Sequence, residues 1–249
     1  MKKLLSLFIS SILLLSVFVF IGCGGGGGNG QYQQVDWSRI EAFIQQVENN
    51  ATLESNTRVE DGYMKTYSYC DQDLVVVKGY NKDGVQQLFV EYNNINDNKE
   101  LIYTQKQYYV DGYLYEEEAE KEYGVWNVVK SKEAMDFDAA LFYTYNKDND
   151  VFADIYLDMW RPYVLMGEDV KLYMLESADA TKIKVVHKNS SLVQFNLTIT
   201  YEYVYSKDYK ILEFSSVEDY GAGEKAVTQI CKTPGPITFP DLSGFDNIA

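Results

Sequence analysis

The sequence predicts an α+β protein built on a curved antiparallel sheet, with an N-terminal helix and a central helical pair covering its concave face. Three observations predict this class. The order of elements is helix, strands, two helices, strands, without the alternating units of a parallel sheet. Tyrosine- and valine-rich runs with a period of two fill most of the chain. Its 249 residues are 46% hydrophobic, enough for one globular core.

The charge of the chain excludes one class of partner. The sequence has 22 basic and 37 acidic residues, a net charge of -15. A surface this negative repels phosphate backbones, so we expect no nucleic-acid partner. The single histidine, His187, excludes any site that needs two imidazoles. Because Lys184, Lys188 and Asn189 lie near it, we predict a solvated imidazole at a strand end.

Residues 1–22 have the pattern of an export signal, with a basic start, an apolar run and the small residue Gly22. The segment Phe20-Ile21-Gly22-Cys23 resembles the lipobox of a bacterial lipoprotein signal peptide, although Phe20 stands where leucine is usual. The resemblance implies that Cys23 is lipidated. An uncleaved N-terminal membrane helix is the alternative. Both interpretations tether the folded part outside the cytoplasm. The lipoprotein resemblance implies a lipid anchor on the extracytoplasmic side of the bacterial cell envelope, at the outer membrane or the cell surface.

Residues 23–33 are predicted to be the lipidated cysteine and a glycine-rich tether, because a run of glycines has no side chains to pack. Residues 34–249 are predicted to form a single domain. It opens with a helix, since Ser38 and Glu41 fit a capping box and apolar residues recur at helical spacing until Asn50. The sequence alone leaves inner and outer membrane, oligomeric state and any protein partner open.

Strands separated by polar turns are predicted from about Thr57 to Lys130, and Asp111-Gly112 is the strongest hairpin signal. Two short helices are predicted between Glu133 and Tyr163, the second ending near Pro162. Strands then return, and the clearest is Val193 to Tyr205, where every second residue is apolar or aromatic.

The order of elements, the Tyr109-Val110-Asp111-Gly112-Tyr113 hairpin, the Val125-Trp126-Asn127-Val128-Val129 strand and the closing Ile237-Thr238-Phe239-Pro240 resemble the lipoprotein-carrier superfamily of bacterial envelope proteins. This superfamily includes the LolA and LolB carriers and the LppX and LprG lipoproteins. The resemblance covers nearly the whole mature chain. It implies that the curved sheet forms an incomplete β-barrel lidded by the helices. It also implies an apolar cavity between sheet and helices that accepts acyl chains, and no catalytic residues.

Seven positions are expected to line such a cavity, and ordinary core packing without a ligand is the alternative for each of them. They are Phe195, Leu197, Ile199 and Tyr201 on the long strand, and Phe142, Ile155 and Met159 on the helical pair.

The common enzyme and metal signatures are absent from the sequence, so we predict no catalytic residue, cofactor or metal. The Gly221–Ala226 segment fits a relaxed dinucleotide fingerprint, but it leads into a strand and is interpreted as a hairpin turn. Glu116 to Glu122 is interpreted as a solvated acidic loop, with hard-cation binding as the alternative. Residues 146–150 have only part of a calcium loop.

Two cysteines remain once Cys23 is lipidated. Cys70 and Cys231 are both predicted on strands, and outside the cytoplasm they either pair or stay free. A bridge would be excluded if their Cα atoms were more than about 7 Å apart.

Two functions remain open at this point. The first is a non-enzymatic lipoprotein that binds or carries a lipid or acyl chain. The second is a surface module that recognises a glycan or a protein through some of its 22 tyrosines. An apolar void favours the carrier, and a contiguous tyrosine patch favours the module.

Overall fold

The computed structural model describes residues 31–50, 62–70, 72–143, 157–188, 197–233 and 235–247. Most of this part is a single thirteen-stranded sheet. All strand pairings are antiparallel except that of the two-residue last strand, which runs parallel to its neighbour. The α+β class and the antiparallel sheet are therefore confirmed.

The strands are β1 (Gln33–Val35), β2 (Tyr63–Tyr69), β3 (Asp73–Lys82), β4 (Val85–Ile95), β5 (Leu101–Val110), β6 (Tyr113–Glu122), β7 (Val125–Ala134), β8 (Asp169–Glu176), β9 (Ala180–Lys188), β10 (Thr198–Ser206), β11 (Ile211–Gly221), β12 (Glu224–Lys232) and β13 (Asp246–Asn247). The helices are α1 (Trp37–Asn50), α2 (Phe137–Tyr143), a 3₁₀ helix (Leu157–Trp160) and α3 (Arg161–Leu165). None of these helices is long and apolar enough to cross a bilayer, as far as the described residues go.

The sheet consists of two meanders. Strands β2 to β7 follow one another in order, and so do β8 to β12. The pairing of β2 with β12 joins the two meanders, although these strands lie at opposite ends of the domain sequence. The sheet remains open, with β1 beside β8 at one edge and β13 beside β7 at the other.

Two-residue turns connect β3 to β4, β5 to β6, β6 to β7 and β11 to β12. Asp111 and Gly112 have φ values of 53° and 80°, which confirms the hairpin predicted there. The pair Ala222 and Gly223 also has positive φ, so the glycine-containing segment is a hairpin turn as predicted. Turns with positive φ at both central residues match the right-handed twist of the flanking strands.

The prediction of an acidic loop at Glu116 to Glu122 was wrong, because these residues belong to β6. Their carboxylates alternate between the two faces of the strand. On one face Gln107 donates a hydrogen bond of 3.1 Å to Glu116, and on the other Lys130 lies 2.7 Å from Glu117. Neighbouring strands thus supply partners that make the acidic strand stable.

Helix α1 has the predicted position and length but a different N-terminal cap. Asp36, and not Ser38, lies at the N-cap: its Oδ1 atom accepts hydrogen bonds from the Ser38 hydroxyl at 2.7 Å and from the Arg39 amide at 3.1 Å. These bonds, the Ser38 bond first, lower the pKa of Asp36. The cap satisfies an amide that the first turn of a helix leaves without a partner.

The region predicted as a helical pair begins differently. Strand β7 continues through Ala134, and α2 starts only at Phe137. The 3₁₀ helix and α3 then cover residues 157–165, so this segment ends beyond Pro162, which lies in the first turn of α3. Proline is compatible with a first turn, where its missing N–H has no partner to lose.

One face of the sheet carries the helices, and we call it the helix-side face. The ring centroids of Phe43 and Tyr205 lie 5.2 Å apart, and those of Phe137 and Tyr109 lie 5.4 Å apart. These contacts and those of Trp160 form the main apolar core.

The opposite face of the first meander is partly covered by the chain that follows β12. Phe245 is buried there, with its ring centroid 5.5 Å from that of Tyr115. The ring of Phe239 packs on Tyr108, and the Ile237 amide donates a hydrogen bond of 2.7 Å to Gln87. This return of the chain brings β13 to the edge of β7.

Candidate functional site

A hollow of about 380 Å³ opens on the helix-side face where β12, β2, β3 and β4 lie side by side. We call it the tyrosine hollow. Its volume lies in the range of small-molecule sites. Its lining is Lys65, Tyr67, Asp73, Val75, Val77, Tyr92 and Thr228.

The strand register explains this lining. Val75 on β3 lies between Tyr67 on β2 and Tyr92 on β4, and Tyr67 has Thr228 on its other side. Since neighbouring strands are about 4.8 Å apart, the two tyrosines stand about 10 Å from each other across Val75. The hollow therefore has an apolar floor between two aromatic side walls.

The helix-side face changes character along the strands. The row of residues nearest the helices is buried and apolar, with Leu88 and Leu114 on β4 and β6. Four residues further along the same strands the face presents Tyr92 and Glu118. The tyrosine hollow lies at this transition, so a bound molecule would meet apolar packing on one side and polar groups on the other.

A network of hydrogen bonds continues the hollow across the sheet. Asp73 accepts hydrogen bonds of 2.7 Å from both the Tyr92 hydroxyl and the Asn94 amide. Beyond them, Gln105 donates to Glu116 and Glu118, and Tyr103 donates to Glu118 at 3.3 Å. Planar amide and carboxylate groups are thus held in fixed orientations next to the aromatic walls.

The hydroxyls of Tyr67 and Tyr220 on this surface remain protonated at neutral pH. Burial, together with the negative charges of Glu218 and Asp73, raises the pKa of Tyr67. A hydrogen bond to Glu218 and burial raise the pKa of Tyr220 to about 12. The ring of Tyr220 packs edge-on against Tyr69, which extends the aromatic surface beyond the hollow.

The structure places four of the seven predicted cavity positions, and none of them lines the tyrosine hollow. Leu197 is buried, and Ile199 lies half-buried beside His187. Tyr201 packs against Trp160, with ring centroids 4.9 Å apart, and Met159 is 37% exposed. Ile155, Phe195 and the side chain of Phe142 lie outside the described residues, as does Cys23.

His187 is buried, and the prediction of a solvated imidazole was wrong. Its side chain is 5% exposed, and its Nε2 atom lies 2.7 Å from Oε2 of Glu168. His187 is the second-last residue of β9, so it lies at a strand end as predicted, but β8 and β10 flank it on both sides. The rings of Trp160 and Tyr163 cover it.

Cys70 and Cys231 form no disulfide and lie far apart. The amide of Cys70 bonds to the carbonyl of Lys225, whereas Cys231 pairs with Met64 at the other end of the same two strands. Six residues of extended chain separate these positions, or about 20 Å. A bridge needs Cα atoms within about 7 Å, so this pair does not form one.

Among the described residues, no three His, Cys, Asp or Glu side chains are grouped so as to hold a metal ion. The lining of the tyrosine hollow has one cation, Lys65, and one carboxylate, Asp73. A second hollow of about 340 Å³ lies beside α1, where Arg39 already pairs with Glu176 at 2.9 Å. The chemistry available in the tyrosine hollow is binding through rings, apolar surface and hydrogen bonds.

Neither a protein-family model nor a curated protein matches the chain.

Sequence reasoning missed the tyrosine hollow. A signal was present on β2, where Tyr63, Lys65, Tyr67 and Tyr69 alternate along one face. That alternation predicts which residues share a face, but not that β12 and β4 stand on either side of β2 and β3.

Proposed function

We propose that this protein is a membrane-anchored, non-enzymatic binding protein of the bacterial cell envelope that recognises a carbohydrate in the tyrosine hollow. In this proposal Cys23 carries the lipid anchor, and residues 34–249 form an incomplete barrel with helices over its concave face. The observation that carries the proposal is the placement of Tyr67 and Tyr92 on either side of Val75, with Asp73 and Lys65 in the same lining.

A sugar ring matches these groups chemically. Its C–H surface packs on aromatic rings and on an apolar floor, while its hydroxyls need both donors and acceptors at the edge. Lys65 and the Tyr67 hydroxyl can donate, and Asp73 can accept. Because Tyr92 and Asn94 already bond to Asp73, the carboxylate is held in place before a ligand arrives.

An acyl chain matches the same lining less well. It would take Lys65 and Asp73 out of water without offering either one a hydrogen bond, which costs free energy. Among the positions predicted for an acyl cavity, Tyr201 packs against both Trp160 and Phe214. The tyrosine-faced module is therefore the better supported of the two functions left open by the sequence.

The test is a glycan array probed with the full chain in lipid nanodiscs, followed by calorimetry with any glycan that binds. We expect Tyr92→Ala to abolish binding, because it removes both a ring and the hydroxyl that orients Asp73. Tyr92→Phe should retain the ring and weaken binding less. The matched control is Tyr123→Asn, which removes a fully exposed tyrosine from a turn with positive φ that asparagine tolerates.

Two results would count against the proposal. One is the absence of any glycan whose binding depends on Tyr92. The other is native mass spectrometry that finds a chloroform-extractable lipid on the chain, with uptake of fluorescent fatty acids. That second result would restore lipid carriage as the function.

A further inference from the structure

Half of strand β7 lies at an edge of the sheet without a backbone partner in the described part of the chain. β7 pairs with β6 along its whole length. On its other side β13 pairs only with Ser131 and Lys132. The amides and carbonyls of residues 125–130 that point away from β6 are therefore open to a further strand.

Four of the six side chains of this half-strand are apolar and they lie on both faces, while Asn127 and Lys130 are polar. Val125 and Val129, on the helix-side face, are 64% and 65% exposed. Trp126 and Val128, on the opposite face, are also exposed. Natural edge strands are usually protected by charges, prolines or bulges, and the β6–β7 register continues without a bulge. An apolar, regular edge of this kind is typical of a surface that another strand covers.

We propose that a second copy of this chain covers this edge, with the two β7 strands antiparallel about a two-fold axis at Asn127. In that register Val125 lies opposite Val129 of the second copy, and Trp126 lies opposite Val128 of the second copy. All four apolar residues then meet apolar residues, the kind of cross-strand pair that stabilises a sheet. Each contact between a residue of one copy and a residue of the other occurs twice, as a two-fold interface requires.

The free length of the edge selects this register. β13 occupies the edge from Ser131 onward, and the turn at Tyr123 and Gly124 ends the strand on the other side. The window from Gly124 to Lys130 is centred on Asn127. With the axis at Trp126 or Val128, the helix-side faces of the two copies would still lie on the same side of the joined sheet. The paired segment would be shorter, however, and apolar residues would lie opposite polar residues or glycine.

The contact is small, so we expect reversible association. Seven residues from each copy are fewer than the 20 to 30 that a stable interface usually takes from each side. The net charge of -15 also repels the two copies. A covalent trap is therefore the appropriate test, because it records a transient pair. The inference rests on β7 alone and is independent of any carbohydrate.

The experiment uses the full chain in the membranes of its expression host, with Cys70 replaced by serine. Under mild oxidation Asn127→Cys should give a disulfide-linked dimer, since the axis brings the two copies of residue 127 face to face. Trp126→Cys and Val128→Cys should each give little dimer alone but should cross-link when the two variants are co-expressed, because these positions oppose each other. Leu165→Cys, an exposed position elsewhere, reports random collision.

Adding Val128→Lys to the Asn127→Cys chain should abolish the dimer, whereas Leu212→Lys at another exposed position should not. The proposal is overturned if Leu165→Cys dimerises as well as Asn127→Cys. It is also overturned if Asn127→Cys cross-links to a protein of another mass, which would assign the edge to a different partner. Loss of glycan binding has no bearing on these outcomes.

Discussion

The indole nitrogen of Trp160 donates a hydrogen bond of 3.0 Å to the hydroxyl of Tyr203, and both side chains are buried. This bond joins the 3₁₀ helix to the centre of β10. The ring of Tyr203 also packs on Phe214, so the tyrosine contributes both apolar contact and a polar partner.

Removing only the hydroxyl of Tyr203 should destabilise the protein. Tyr203→Phe leaves the Trp160 N–H buried without an acceptor, and we expect a loss of about 1–3 kcal/mol in the free energy of unfolding. Urea denaturation measures this loss. In the double variant with Trp160→Phe, the orphaned donor is also absent, so the combined loss should be smaller than the sum of the two single losses. Additive losses would show that the bond contributes nothing.

Replacing Gly79 by alanine should strain the core of the first meander. Gly79 on β3 lies opposite Tyr63, and an added Cβ would overlap the buried Tyr63 ring. Overpacking of this kind costs about 1–3 kcal/mol, and thermal or urea unfolding would detect it. The control is Gly244→Ala, since a Cβ at that position has no heavy atom within 4 Å. Equal stability of the two variants would contradict the close packing of Gly79 on Tyr63.

Stability should fall at alkaline pH as buried tyrosines ionise. Burial, followed by the charges of Glu117 and Glu91, raises the pKa of Tyr108 from 10.0 to about 12. Between these values the unfolded chain loses this proton while the folded chain keeps it, so the free energy of unfolding decreases as pH rises. Below pH 10 Tyr108 is protonated in both states, and its full contribution to the free energy of unfolding is present. Unfolding measured across this range in the native protein and in Tyr108→Phe should show a shallower slope in the variant. An unchanged slope would contradict the raised pKa.

Reducing agents should leave the stability of the domain unchanged. Cys70 and Cys231 lie at opposite ends of the β2–β12 pair and form no bridge. The urea midpoint should therefore be the same with and without reductant. A thiol reagent should modify half-buried Cys70 faster than buried Cys231, and mass spectrometry of the labelled peptides reads out the order. A drop in the midpoint on reduction would contradict the assignment.

Local sequence patterns predicted the elements that depend on neighbours in the chain. The hairpin at Asp111-Gly112 and the end of α1 at Asn50 follow from turn chemistry and periodicity. The one-sided burial predicted for the strand that ends at Tyr205 was wrong, because Val204 on the opposite face of β10 is buried as well. The acidic loop predicted from composition was wrong, because its glutamates belong to β6. Residues of β5 and β7 such as Gln107 and Lys130 stabilise them there. Such partners are known only once the strand register is known.

The tyrosine hollow depends still more on tertiary structure. Tyr67, Val75 and Tyr92 come from consecutive strands, but Thr228 comes from β12, more than 130 residues later in the sequence. The burial of His187 was missed for the same reason, because the nearby lysines of the sequence suggested solvent while the rings of Trp160 and Tyr163 cover the imidazole in space. Both the lining of the tyrosine hollow and the burial of His187 depend on which strands are neighbours in the sheet.

The pairing of β2 with β12 has a consequence for how the chain folds. Within each meander, every strand pairs with its neighbour in sequence, so the hairpins close short loops at little cost in chain entropy. The β2–β12 pair instead closes a loop that contains most of the domain. Strand pairings of such long range form slowly. We therefore expect the two meanders to assemble independently and the seam between them to form late, in the step that limits the folding rate.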